Sequence, residues 1–271
     1  LNPAAGLGLI TQTQISTVHT FFNIATTVLL FPVSNLIIKL AKKIGGVKEN
    51  EADRSKILLD DRMLETPSIA LQSVINETVR MGEIVRESLN VAKNVLHTKS
   101  EADLCILKED ESVVDRLCAG ITDYTIKLSA LQISEREHQI TAHLLQVLSD
   151  IERVSDYCEN ISEFAETMIE KKLEFSDIAN EQLDEMIAAS VDSYNYALDA
   201  FKEESTEKAL KVIEKETQVD DLEIMLRTGH MKRLAKNECN TEAGVVFLDT
   251  LVCMERISDH ARNIAEEVLG N

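Results

Sequence analysis

The pattern Glu-Arg-x-Ser-Asp-x-x-x-Asn-Ile occurs twice in this chain, at residues 152–161 and again, 103 positions later, at 255–264. It lies within two longer similar stretches, 150–163 and 253–266. Repetition of this length inside one chain requires two copies of one structural unit, and it restricts the fold more than local propensity does. It also sets a Glu and an Asp four residues apart, twice, in sequence of helical character.

Proline supplies the second restriction. Pro67 is the last one, and residues 68–271 hold five of the nine glycines in a background rich in Glu, Lys, Leu, Ala and Ile. Long helices are the expected outcome. Start and stop signals divide this stretch into six helices, at about 68–97, 100–131, 134–172, 176–202, 205–236 and 241–269. Ser100-Glu101-Ala102-Asp103 and Ser134 with Glu137 are capping-box patterns. Thr241 is a weaker start, because Gly244 stands where the box needs an acid. The predicted fold is all-α, with two repeated three-helix bundles over 68–172 and 173–271, each enclosing a core with its amphipathic faces.

Charge is unevenly distributed. The formal net charge is -19, yet residues 1–44 contain no Asp or Glu and three lysines. The remainder therefore repels nucleic acid and favours cations or a basic protein partner. The five cysteines have no C-x-x-C spacing and read as small core residues of a reducing compartment.

Residues 21–38 form an uncharged run of 18, and no Asp, Glu, Lys or Arg occurs from Leu1 to Ile38. That length suffices for a transmembrane helix, and Pro32 is tolerated in one. Lys39, Lys42, Lys43 and Lys48 follow directly and mark the cytoplasmic side. Residues 1–44 are thus expected to be a membrane segment, 45–67 a charged juxtamembrane connector, and everything after about 45 cytoplasmic. Asn23, Thr26, Thr27 and Asn35 make the span polar enough to pack against further membrane helices. A first residue of Leu rather than Met is read as the start of a fragment.

Aligning the repeats exposes a second acidic pair in each. Glu111-Ser-Val-Val-Asp115 matches Glu216-Thr-Gln-Val-Asp220. Each repeat thus carries two Glu-x-x-x-Asp pairs, Glu111/Asp115 with Glu152/Asp156 and Glu216/Asp220 with Glu255/Asp259. Spacing of four puts both carboxylates on one helix face, where unpaired they repel. A wheel places Glu111 inside the face of Leu107, Val114, Cys118 and Ile121. Glu152 and Asp156 run beside the core stripe of the third helix. Where helices two and three pack, the stripes can meet as an oxygen-rich site for Mg²⁺, Ca²⁺, Mn²⁺ or iron. The alternative is a set of solvated charges with Arg153 and Arg256 as counter-ions. Glu135-x-x-His138 is half of a di-iron motif with no second half. With no phosphate loop, Gly-x-Ser-x-Gly or dinucleotide fingerprint, the sequence points to a binding or regulatory module and not an enzyme.

These pairs on helices two and three of a repeated unit, with Glu-Arg-Ile-Ser-Asp-His-Ala-x-Asn-Ile-Ala-Glu at 255–266, resemble the PhoU family. The resemblance covers roughly residues 69–269. It implies paired three-helix bundles acting in phosphate regulation, with metal clusters held by Glu111, Asp115, Glu152, Asp156, Glu216, Asp220, Glu255 and Asp259. Asn160 and Asn263 match the family's Asn. Arg262, standing where the first repeat has Glu159, departs from the acidic pattern and implies a weaker second site. His19-Thr-Phe-Phe-Asn-Ile followed by an apolar run with Pro32 resembles the last membrane segment of bacterial sodium/phosphate cotransporters. The combination implies the carboxy-terminal part of such a transporter, working with upstream membrane helices that handle sodium and phosphate. The alternative is a membrane-anchored helical adaptor in phosphate signalling, without metal or transport activity, docking a basic protein or a second copy of itself.

Overall fold

The computed structural model describes residues 54–270 together with His19, Thr20 and Phe22. The expected membrane span at 21–38 and the first part of the connector lie outside the described residues. Among those described, no helix is long and apolar enough to cross a membrane. The chain divides into two units, Leu1–Arg54 and Ser55–Asn271, and the second holds the helices described next.

Six long helices appear in the expected order: α1 (Pro67–Thr98), α2 (Glu101–Ser129), α3 (Glu135–Lys171), α4 (Asp177–Glu203), α5 (Thr206–Ala235) and α6 (Thr241–Leu269). Serine starts four of them. The hydroxyls of Ser100, Ser134, Ser176 and Ser205 each accept the N–H three residues on, satisfying an otherwise orphaned donor. Ser134 and Glu137 form the full reciprocal box. The last helix differs from expectation. Asn240, not Thr241, is its cap, with Oδ1 accepting from Ala243 N at 3.0 Å. Asn accepts this bond as well as Thr does and is placed one residue earlier. Pro67 is itself the first helical residue, where its missing N–H costs nothing. Lys99, Lys172 and Glu204 close their helices in the left-handed region, at φ of 49°, 53° and 49°. This geometry costs a non-glycine residue about 1 kcal/mol, and it turns the chain so that a serine follows to start the next helix or, after Lys172, a short link.

The helices pack as two bundles, α1–α2–α3 and α4–α5–α6, joined through α3 against α6 and α1 against α4. The first and third helices of both repeats therefore make the centre, and α2 and α5 flank it. Leu107, Leu117, Ile121, Leu144, Leu148 and Ile151 fill the first core, with Tyr194 and Phe247 the largest buried rings of the second repeat. Each such side chain contributes about 2 kcal/mol when fully buried. Small buried hydroxyls allow the central helices to approach. Ser258 Oγ donates to Ser193 Oγ at 3.0 Å. Ser155 and Ser258, the serines of the repeated motif, are both buried, as are Ile161 and Ile264. The motif thus divides its labour: Ser and Ile face the core while Glu and Asp line the seam.

The described part of the connector is attached to the first bundle. Arg80 Nη2 donates to Lys56 O at 2.9 Å, Leu58 N donates to the buried Glu77 at 3.3 Å, and Tyr124 Oη donates to Asp60 O at 2.9 Å. Ile57 occupies the space above Gly120, where a Cβ would lie 1.8 Å from its Cδ1. A 3-10 turn, Asp61–Glu65, then leads into α1. The backbone polar groups of this charged stretch find partners on α1 and α2.

Candidate metal centres

The carboxylates of α2 and α3 converge where these helices pack, and those of α5 and α6 do the same. Glu111, Asp115 and Asp156 form one group and Glu216, Asp220 and Asp259 the other, each with one oxygen per residue lying within 4.8 Å of the rest. The same three positions of each repeat are involved. Glu152 and Glu255, also expected at the sites, lie one turn before Asp156 and Asp259 and do not join these groups. They flank them closely enough to be affected: burial, then Asp156, raises the Glu152 carboxyl, and burial, then Asp259, raises Glu255. Glu135 and His138 are exposed and belong to neither group.

In the first centre burial dominates the electrostatics of Glu111 and Asp156. Burial, followed by the Asp115 and Glu159 charges, pushes Glu111 up to about 7. Asp156 is raised by burial although Arg153 opposes the shift. Among the described residues no Lys or Arg is paired with Glu111 or Asp115. In the second centre, burial and then Glu216 and Asp259 raise Asp220, and burial outweighs Arg256 to raise Asp259. Asp220 Oδ1 is buried without a hydrogen-bond partner.

Arginine compensation, the alternative reading, is partly present. Arg153 reaches Asp156 at 3.3 Å and Glu152 at 3.9 Å, and Arg256 reaches Asp259 at 3.0 Å and Glu255 at 3.3 Å. Both arginine side chains are more than half exposed, at 59% and 52%, and exposed pairs of this kind contribute little. Each contacts one acid of its group, Asp156 or Asp259, and in the first group Glu111 and Asp115 are left without a basic partner among the described residues. Three carboxylates with no imidazole or thiolate are a hard donor set, which fits Mg²⁺, Ca²⁺, Mn²⁺ or iron and disfavours soft ions.

Several polar residues that matter here were not singled out from sequence. Asp110 is buried at a core position of α2 and accepts from Ser88 Oγ at 2.9 Å. Asp150, also buried, accepts from Asn263 Nδ2 at 3.0 Å and from Gln146 Nε2 at 3.2 Å, and contacts His260 Nδ1 at 2.8 Å. Helical spacing alone places Asp110 three residues after Leu107 and four before Val114, so that burial was readable. Asp150 aligns with Cys253 in the other repeat, an asymmetry that the repeat itself reveals.

The PhoU domain pattern matches residues 78–165 and 183–268, one block in each repeat, and the chain belongs to the PhoU domain family. A phosphate-specific transport system accessory protein, PhoU homolog 1 of Thermotoga maritima, is 26% identical over 72% of this chain and 83% of its own length. The putative inorganic phosphate export protein YjbB of Escherichia coli K12 is 23% identical over 93% of this chain and 47% of its own length. The chain thus spans about half the length of this relative. The crystal structure of PhoU from Pseudomonas aeruginosa superposes with a TM-score of 0.69 at 22% identity, covering 73% of this chain and 95% of that one. That of the phosphate transport system regulatory protein PhoU from Streptococcus pneumoniae gives 0.67 at 20% identity, covering 75% and 95%. These superpositions establish the six-helix fold.

Proposed function

We propose that the six-helix unit is a regulatory, non-enzymatic module of phosphate transport that senses its state through cations held at the α2/α3 and α5/α6 seams. The observation that carries this reading is the convergence of Glu111, Asp115 and Asp156, reproduced by Glu216, Asp220 and Asp259 at equivalent places of the second repeat. A divalent or iron-type ion would neutralise acids that otherwise repel, and so hold the second helix of each bundle against the third. Such a centre offers an anion like phosphate a positive partner that bare carboxylates cannot.

The transport part of the proposal rests on the first 54 residues. A match over 93% of the chain to proteins named for putative inorganic phosphate export necessarily reaches upstream of Ser55. Together with the uncharged run at 21–38 and the lysines behind it, this supports a membrane segment of a phosphate carrier of the sodium/phosphate cotransporter type. The bundles would then face the cytoplasm, and upstream membrane helices would carry the ions. A membrane-anchored adaptor without metal is the competing reading, favoured by the arginine contacts to Asp156 and Asp259.

Elemental analysis and thermal melting of the full chain, with and without chelator and added Mn²⁺ or Mg²⁺, test the cation reading. Glu111→Gln with Asp156→Asn should remove the first bundle's cation-dependent gain in melting temperature. A chain that takes up no metal and melts identically in both conditions leaves the adaptor.

A further inference from the structure

The two centres are built from the same three acids but differ in what stands beside them. In the second, Arg262 Nη1 lies 2.8 Å from Glu216 Oε1, and Arg262 Nε lies 2.8 Å from Glu266 Oε1. The Glu216 side chain is only 6% exposed, so the guanidinium is the partner of a buried carboxylate. The repeat puts Glu159 at the same place of the first bundle. There the charge has the opposite sign, and Glu159 adds to the forces that push Glu111 up. Lys108 is near enough for Glu159 to help raise it, but its Nζ bonds Glu166 at 2.6 Å and it is paired with none of the three acids.

We propose that Arg262 is a built-in counter-cation that closes the second centre in place of metal, so that cation sensing resides in the first bundle alone under ordinary conditions. The inference rests on the cation reading above and assigns its two centres unequal roles. A divalent ion entering among Glu216, Asp220 and Asp259 meets a fixed positive charge bonded to one of its ligands. It must break that bond and tolerate the guanidinium nearby. An ion entering among Glu111, Asp115 and Asp156 meets only the exposed Arg153, 3.3 Å from Asp156, which Arg256 matches at Asp259 in the second centre, and beyond it a further acid, Glu159. The unpartnered Asp220 Oδ1 shows that one guanidinium leaves the second centre incompletely compensated. It therefore remains a site of lower affinity, filled only when the competing charge moves away. One bundle is thus held closed while the other responds, and the closed one gives the responding one a fixed frame across the α3/α6 contact.

The test is Mn²⁺ binding to the full chain, followed by calorimetry and by the electron paramagnetic signal of free Mn²⁺. In the wild type, Asp115→Asn should abolish the tight site and Asp220→Asn should leave it intact. Arg262→Glu, which copies the first repeat, should tighten the second site by about tenfold or more. Glu159→Arg, the reverse exchange, should weaken the first by a similar factor and keeps the test open if Arg262→Glu does not fold. Equal affinities at the two centres of the wild type, or an Arg262→Glu chain that binds as the wild type does, would overturn the assignment while leaving cation binding in place. Absence of Mn²⁺ uptake by wild type and both exchange variants would remove the cation reading itself, and this inference with it.

Discussion

His260 Nδ1 lies 2.8 Å from Oδ1 of Asp150, and the contact joins the third helix of one repeat to the third helix of the other. Asp150 is buried, and Asn263 Nδ2 donates to the same oxygen. One carboxylate therefore satisfies two side chains from across the central interface. Asp150→Ala would leave both half-buried side chains without this partner. A loss of about 2 kcal/mol in urea unfolding is expected. Asp150→Asn, which keeps an acceptor oxygen, should lose less. Equal effects of the two substitutions would show that the bonds across the interface are not what makes Asp150 matter.

The strip at 56–65 is held by few contacts, and one of them is steric. Gly120→Ala would place a Cβ 1.8 Å from Ile57 Cδ1, so Ile57 must leave its seat. The helix itself gains about 1 kcal/mol from the exchange, which keeps the bundle folded. Amide exchange at Leu58 and through the 3-10 turn at Asp61–Glu65 should then quicken by about tenfold or more. Exchange in the middle of α2 and α3 should stay as it was. Unchanged protection of the strip would mean that Arg80, Glu77 and Tyr124 hold it without Ile57.

What the sequence disclosed follows from what is local in it. Serine caps, a proline at the first turn and heptad-like apolar spacing are all set within a few residues, and six helices were legible from them. The motif at 152–161 and 255–264 disclosed the repeat, and through it which acids correspond. Which of those acids meet was not legible. Glu152 and Asp156 are neighbours on one helix face, yet only Asp156 reaches across to Glu111 and Asp115, because the choice depends on the rotation of α3 against α2. The connector misleads for a related reason. In its described part Lys56, Asp61, Arg62 and Glu65 are exposed while its backbone bonds to Arg80, Glu77 and Tyr124, and composition records only the former. Arg262 was visible as a departure from the pattern, but its bond to a buried Glu216 depends on how α5 and α6 are paired.

Gly82 marks the second junction between the bundles. Tyr194 Oη donates to Gly82 O at 3.0 Å, and a Cβ at Gly82 would lie 2.5 Å from Leu198 Cδ1. Leu198 is fully buried, so it has little room to turn aside. Gly82→Ala should therefore destabilise the chain by about 2 kcal/mol through overpacking, against the usual gain from replacing a helical glycine. Tyr194→Phe removes only the bond and should lower stability by about 1 kcal/mol. Denaturant midpoints at constant slope would check both.

Acid should stabilise the metal-free chain over a defined window. Glu111 is pushed up to about 7 from an ordinary value of 4.5, and Glu152, Asp156, Asp220, Glu255 and Asp259 are raised as well, each with burial as the leading cause. A carboxyl with a raised value holds its proton in the folded state where the unfolded chain has lost it. The folded state then binds more protons, and stability falls as pH rises between the two values. For Glu111 the contribution is fully present below about 4.5 and lost as pH rises through about 7. Carboxyls held low, such as Asp60 at about 2 beside Arg62, titrate below this range, but His230, which burial lowers, opposes the trend within it, so the carboxylate contribution is read as the difference between the wild type and Glu111→Gln. The melting temperature without metal should therefore rise as pH is lowered from 7 to about 5. Bound cation replaces the proton as the compensating charge, so added Mn²⁺ should raise the melting temperature most near pH 7 and least near pH 5. Glu111→Gln removes the leading titration and should flatten the profile in chelator. Wild type and Glu111→Gln profiles of the same shape in chelator would place Glu111 among compensating charges and count against a cation site at the α2/α3 seam.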